Sequence, residues 1–138
     1  MVYLGIDFGT KRIGLALATD ETSAVPYDTL EISNIQYRIS KLVEVIQKEH
    51  IDVVVVGRPR SMSSSQKTEI ERTTEQFVEV LKTHIAVPIY FQDERLSSKG
   101  ADALKKEFGG SGQRDAVAAM LILESYLAKQ DKRDKQDK

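Results

Sequence analysis

The sequence contains no cysteine, no long apolar run and almost no net charge, because 20 lysines and arginines nearly balance 21 acidic residues. Without cysteine there is no disulfide framework, thiolate metal site or thiol nucleophile. No apolar run approaches the length of a membrane span, and Met1 is not followed by the charged and apolar segments of a secretion signal. We therefore expect a cytoplasmic protein without a membrane segment. The net charge of −1 neither favours nor excludes a nucleic-acid partner.

The apolar pattern predicts one α/β domain over residues 1–128 and a disordered, charged tail over residues 129–138. The predicted strands cover residues 2–6, 13–18, 25–32, 51–56 and 87–91, and the predicted helices cover residues 35–49, 66–83, 97–108 and 113–127. A three-stranded meander joined to strand–helix–strand units gives a mixed five-stranded sheet with helices on both faces. Ligands of such sheets bind beyond the carboxyl ends of the parallel strands.

Asp7 ends the first predicted strand, within a segment that contains three glycines. A buried carboxylate is costly unless a positive group meets it. Gly5, Gly9 and Gly14 lack side chains around Asp7, so a ligand or its phosphates can approach the backbone closely. This pattern is consistent with a metal ligand at Asp7. It is equally consistent with a hairpin turn whose amides satisfy the carboxylate.

Two further acidic positions are predicted at the same edge of the sheet as Asp7. Either Asp93 or Glu94 follows the fifth strand, and Asp115 lies in the first turn of the last helix. Three neighbouring carboxylates repel one another, and oxygen-only ligands favour Mg²⁺ or Mn²⁺ over zinc. Two such ions about 3.5–4 Å apart can promote hydrolysis of a phosphodiester. The alternatives are a surface ion pair for Glu94 and a favourable helix N-terminal position for Asp115.

Positive charge is concentrated in the loops predicted beside these acids. The residues concerned are Lys11, Arg12, Arg58, Arg60, Lys67, Arg95, Lys99 and Arg114. The following helix carries its acids, Glu69, Glu71, Glu75 and Glu79, on the side predicted to face solvent. This separation is typical of a phosphate-binding surface on a nearly neutral protein, although solvated loop charges give the same pattern.

Four motifs in order along the chain resemble the bacterial YqgF/RuvX family. They are GIDFGTKRIGLA at residues 5–16, VVGRP at residues 55–59 with a following Met62, DERLSS at residues 93–98, and RDAVAAMLILESYL at residues 114–127. The resemblance implies a ribonuclease H-like fold and a metal-dependent endonuclease. Members are described either as Holliday junction resolvases or as nucleases that process the 5′ end of pre-16S rRNA.

The motif positions imply that Asp7, Glu94 and Asp115 are the catalytic carboxylates and the ligands of Mg²⁺ or Mn²⁺, which selects Glu94 over Asp93. Lys11, Arg12, Arg58, Arg60, Arg95 and Arg114 are then expected to bind the substrate backbone. Two departures from the family pattern, Ser63–Ser65 and Gln113–Arg114, affect substrate contacts and leave the carboxylates in place.

The family resemblance favours precursor ribosomal RNA as the substrate, with branched DNA as the alternative. Two other classes stay open. The Asp-x-Gly-Thr motif at residues 7–10 also resembles the first phosphate loop of actin-like and Hsp70-like ATPases, but the chain has no second loop of that kind. A non-catalytic RNA-binding module for ribosome assembly would keep the same fold. The sequence leaves the choice between a monomer and a homodimer open.

Overall fold

The computed structural model describes residues 1–8, 12–21, 23–31, 35–60, 69–95 and 111–136, except for the side chains at positions 35, 59, 60, 70, 94, 95, 111–114 and 131–136. The strands are β1 (Tyr3–Phe8), β2 (Arg12–Ala18), β3 (Val25–Glu31), β4 (Val53–Arg60) and β5 (Ile89–Arg95). The helices are α1 (Ile35–Lys48), α2 (Glu69–Lys82) and α3 (Ser111–Gln136). The helix predicted over residues 97–108 lies outside the described residues.

The five strands form one mixed sheet in the order β3-β2-β1-β4-β5. Strands β1, β2 and β3 pair antiparallel as a meander, while β4 runs parallel to both β1 and β5. The predicted α/β architecture is therefore confirmed. Because β1, β4 and β5 are parallel and adjacent, their carboxyl ends meet at one edge of the sheet, called the carboxyl edge below.

Helices α1 and α2 cover one face of the sheet. Leu42 of α1 and Leu81 of α2 are fully buried there against Leu4, Ile6 and other apolar residues of β1, β2 and β4. These strand residues alternate with those of the other face, as the two-residue period of a strand requires.

Helix α3 covers the opposite face, where small residues allow close packing. A Cβ added at Gly5 would lie 3.0 Å from the Ala119 carbonyl oxygen and 3.0 Å from the Leu123 Cβ. A Cβ at Gly14 would overlap the backbone carbonyl group of Asp115. The space at Gly5 and Gly14 is therefore filled by α3, and the expectation that it admits a ligand was wrong at these positions. Gly9 lies outside the described residues.

Strand β4 continues through Arg58 to Arg60, where the sequence predicts a loop. The Arg-Pro-Arg composition suggested a loop, since proline cannot donate a hydrogen bond to a central strand. The pairing of β1 with β4 ends at Gly57, so Pro59 lies beyond the point where a β1 neighbour is present. Strand β5 pairs with β4 as far as Arg95, which extends the fifth strand by four residues beyond its predicted end at Phe91.

One acid of α2 is buried rather than solvated as predicted. Glu71 is only 6% exposed. Its spacing to Thr74, Val78 and Leu81 is three or four residues at each step, so it belongs to the same buried stripe of the helix. Its place in the first turn, where the positive end of the helix dipole lies, favours a carboxylate.

Residues 129–136, which the sequence predicts as part of a disordered tail, belong to α3 in the structure, because the helix continues to Gln136. The spacing places Asp131 four residues before Lys135, an order of charges that stabilises a helix. Residues 137 and 138 lie outside the described part of the chain. Among the described residues, no helix is long and apolar enough to cross a membrane.

Candidate active site

Asp7 is half-buried near the carboxyl end of β1, on the sheet face covered by α3. Tyr3 and Gly5, which precede Asp7 by four and two residues in the strand, pack against α3. Because residues two apart in a strand lie on the same face of the sheet, Asp7 also lies on the α3 face. The partner of Asp7 on β2 is Gly14, and its partner on β4 is Gly57. The strand neighbours of Asp7 on both sides are thus glycines, which leaves the carboxylate without flanking side chains from those strands.

Asp115 reaches this position because the backbone of α3 rests directly on Gly14. The helix could not approach so closely over any residue with a Cβ, since that atom would overlap the Asp115 carbonyl and lie 2.9 Å from the Ala116 nitrogen. Asp7 and Asp115 therefore both border Gly14, on the same face and at the same end of the sheet. The backbones of these two acids, which are separated by more than 100 residues, thus lie near the same point of the sheet.

Arg12 forms an ion pair with Asp115, with 3.5 Å between the arginine Nε and the aspartate Oδ2. Their side chains are 32% and 29% exposed, so water screens the pair only in part. Arg12 precedes Gly14 by two residues and therefore lies on the same face of β2. Arg12, predicted to bind substrate, is held beside a predicted catalytic carboxylate.

Asp93 and Glu94 are consecutive residues of β5, so the two positions belong to opposite faces of the sheet. The Asp93 side chain accepts a hydrogen bond from the Arg58 Nε at 2.9 Å, on the face covered by α1 and α2. The Glu94 side chain lies outside the described residues. Its backbone position has the parity of Tyr90, whose ring meets Tyr126 of α3, so strand alternation assigns position 94 to the face of Asp7.

Arg58 is held in a network on the face opposite to Asp7. Its guanidinium pairs with Asp93 at 2.9 Å and with Glu75 of α2 at 3.8 Å, and it lies 4.9 Å above the centre of the Phe91 ring. The side chain is 22% exposed. The structure thus places the Arg58 side chain at the carboxyl edge but does not bring it to the face that carries Asp7 and Asp115.

We expect Arg58→Ala to lower the free energy of unfolding by about 1–2 kcal/mol, because it removes the stacking on Phe91 and the ion pair with Asp93. Arg58→Lys should restore only part of this loss, since lysine cannot stack or present two donors in a plane. Urea unfolding measures the free energy of unfolding of both variants. Lys82→Ala, which breaks the exposed Lys82–Glu79 pair, is the control and should change stability by less than about 0.5 kcal/mol. An Arg58→Ala protein that is equally stable but binds RNA less well would assign Arg58 to substrate binding instead.

The remaining predicted cations can be placed only in part. The backbones of Arg60 and Arg95 pair with each other at the ends of β4 and β5, and that of Arg114 lies in the first turn of α3, all at the carboxyl edge. Their side chains, and all of Lys11, lie outside the described residues. Sequence reasoning missed Arg38, whose guanidinium lies 5.6 Å from the ring centres of both Phe8 and Phe77. The feature that could have indicated Arg38 is a positive charge in the first turn of α1, a helix that begins at the carboxyl edge.

The donor atoms at this site suit a hard divalent cation. Asp7 and Asp115 offer only carboxylate oxygens, which Mg²⁺ and Mn²⁺ prefer. Among the side chains that the structure describes, no three histidine, cysteine or acidic residues form a metal-binding group. The backbone of Glu94, at the end of β5, lies at the same carboxyl edge.

Comparison with known proteins agrees with this architecture. The family model described as "RuvX: Holliday junction resolvase" matches residues 1–129. Relatives named "Putative pre-16S rRNA nuclease" include one from Rickettsia rickettsii, 39% identical over 90% of this chain and 84% of the relative. Another, from Maridesulfovibrio salexigens, is 37% identical over 94% of this chain and 99% of its own.

The Thermus thermophilus RuvC structure in complex with a Holliday junction substrate is similar in fold. Its TM-score is 0.62 with 18% sequence identity, and the match covers 95% of this chain and 96% of RuvC. At that identity the likeness shows a common fold and nothing finer. The family match over almost the whole chain and the identity to its relatives go further, and together they show that the chain belongs to the RuvX family.

Proposed function

We propose that the protein is an endonuclease that hydrolyses phosphodiester bonds in precursor 16S rRNA, with Mg²⁺ or Mn²⁺ held by Asp7, Glu94 and Asp115. The observation that carries this proposal is the contact of α3 with Gly14, which holds Asp115 beside the strand position of Asp7. Neighbouring carboxylates repel each other; Arg12 meets part of the negative charge at Asp115, and a shared divalent ion would remove the remaining repulsion.

The chain supplies the framework for this chemistry. When bound, one or two divalent ions lower the pKa of a coordinated water and stabilise negative charge on the leaving oxygen. Asp7 would be a fixed ligand, because it projects from a paired position of a central strand. Arg12 would orient the Asp115 carboxylate through their ion pair and would place positive charge next to the substrate phosphate.

RNA is the proposed substrate because the curated relatives carry the name of a pre-16S rRNA nuclease. Holliday junction resolution is the second candidate, favoured by the description of the matching family model. Both substrates present the same phosphodiester to the same carboxylates, so the geometry of the acids does not distinguish them. Action on precursor ribosomal RNA would place the protein in the cytoplasm.

The proposed function is tested by giving the purified protein two substrates in parallel. One is a precursor 16S rRNA fragment with its 5′ extension, and the other is a four-way DNA junction. Each is incubated with Mg²⁺, with Mn²⁺ and with EDTA. We expect cleavage of the RNA extension with either metal and none with EDTA. Metal-dependent cleavage of the junction alone would support the resolvase. Binding without cleavage of either substrate would support a non-catalytic RNA-binding module.

A further inference from the structure

Two stacked tyrosines lie where β5 meets the C-terminal half of α3. The ring centres of Tyr90 and Tyr126 are 6.0 Å apart with 23° between their planes, and Tyr3 contacts Tyr126 in a tilted arrangement at 6.4 Å. Tyr90 is nevertheless 48% exposed. A ring that is already held in a stack offers an apolar surface to a ligand at low entropic cost.

These rings border a cleft with a volume of about 430 Å³. Gln92 of β5 and Lys129 and Gln130 of α3 also line it. Because β5 is an edge strand, the cleft extends around it to the other face, where Arg58 and Asp93 also line it. These two residues form an ion pair with each other, so Lys129 gives the described lining a net positive charge. The cleft thus combines an aromatic surface, amide groups and a cation.

This combination fits an unpaired nucleotide. Unstacked bases bind to aromatic side chains through their flat faces and form hydrogen bonds with amides along their edges, while a cation meets the phosphate. A base inside a duplex is already stacked on both faces and cannot use such a surface. The chemistry of the cleft therefore favours single-stranded over double-stranded nucleic acid.

The cleft lies a few nucleotide lengths from the proposed catalytic acids. Tyr90 is four positions before Glu94 in β5, roughly 13 Å along the strand. Tyr126 is eleven positions after Asp115 in α3, roughly 16 Å along the helix. A stacked strand advances about 3.4 Å per nucleotide and an unstacked strand advances further, so this separation corresponds to at most about five nucleotides.

We propose that the Tyr90–Tyr126 cleft binds an unpaired base of the RNA substrate, within about five nucleotides of the bond that is cut. This inference rests on the proposed function and adds a positioning site to it. The cleft explains how a protein with a sequence-independent, carboxylate-based site selects a single-stranded segment next to the cleavage point.

The test measures binding apart from cleavage. Asp7→Asn protein, which should not cleave, is titrated into a fluorescently labelled 12-nucleotide single-stranded RNA, and its dissociation constant is read by anisotropy. Adding Tyr90→Ala should weaken binding by about tenfold, within the range for loss of one aromatic–base stack. Tyr90→Phe keeps the ring and should stay within about twofold of the parent. Tyr37→Ala is the matched control, because Tyr37 is 42% exposed on α1, on the other face.

A blunt RNA duplex of the same sequence serves as the second probe. The proposal predicts that Tyr90→Ala leaves duplex binding unchanged. Equal losses for both probes, or no loss for either, would overturn it. A wild-type dimer in light scattering that Tyr90→Ala dissociates would assign the cleft to a second copy of the chain and overturn it as well. Wild-type protein that cleaves RNA while Tyr90→Ala binds it normally refutes this inference alone, whereas wild-type protein that neither binds nor cleaves RNA refutes the proposed function.

Discussion

Asp7→Asn is expected to lower the rate of metal-dependent RNA cleavage by on the order of a thousandfold, because it removes one negative ligand from the proposed cation site. The same variant should fold as well as the wild type or slightly better, since it relieves repulsion between Asp7 and Asp115 in the metal-free protein. Single-turnover cleavage of the RNA measures the first effect, and thermal unfolding without metal measures the second.

Asp20→Asn is the matched control for this change. Asp20 is exposed beyond the other end of β2, where it accepts a hydrogen bond from the Ser23 amide at 3.0 Å, and asparagine can accept the same bond. We expect its cleavage rate to equal that of the wild type. If Asp7→Asn retained full metal-dependent activity, Asp7 would be only a hairpin residue satisfied by its neighbours.

Gly14→Ala is expected to have the largest effect on stability. The added Cβ would meet the backbone carbonyl of Asp115, and a helix backbone cannot yield as the end of a flexible side chain can. Helix α3 would have to move away from β2, at a cost of roughly 3 kcal/mol, the upper end of the usual cost of overpacking. Chemical unfolding measures this loss. Cleavage should fall as well, because the same movement displaces Asp115 from Asp7.

Gly5→Ala provides a graded comparison on the same face. Its Cβ would lie 3.0 Å from the Ala119 carbonyl oxygen and 3.0 Å from the Leu123 Cβ, which is tight without overlap. We expect a loss of roughly 1 kcal/mol and a smaller fall in cleavage. Equal stability of Gly14→Ala and the wild type would mean that α3 does not rest on Gly14, and the proposed placement of Asp115 would then lose its support.

Much of the site could be predicted from the sequence because its acids follow the ends of recognisable elements. The apolar run that ends at Asp7 and the valine run that ends at Gly57 read as strands covered on both faces, and such strands are usually parallel. Parallel strands bring their carboxyl ends together, so residues distant in the chain were expected to meet. The sequence also predicted Asp115 in the first turn of the last helix, which was wrong, because that helix begins at Ser111 and Asp115 follows its first turn.

The interactions across the sheet could not be predicted in the same way. The role of Gly14 depends on a helix about 100 residues later, and no local pattern indicates which element will approach a glycine. The faces to which positions 93 and 94 belong depend on how far β5 continues, and this follows from its pairing with the extended β4, which no local pattern indicates. Arg58 lies in an Arg-Pro-Arg segment whose composition is typical of a loop, yet its partners Asp93 and Glu75 come from two other elements.

Anomalous diffraction from crystals soaked in Mn²⁺ shows whether Asp7, Glu94 and Asp115 share a divalent cation. We expect an anomalous peak at the carboxyl edge of the sheet, within bonding distance of carboxylate oxygens from all three residues. The same soak of Asp7→Asn crystals should give no such peak. Well-ordered carboxylates that point apart in a Mn²⁺-soaked crystal, with the ion bound elsewhere or not at all, would show that these three residues do not share a cation.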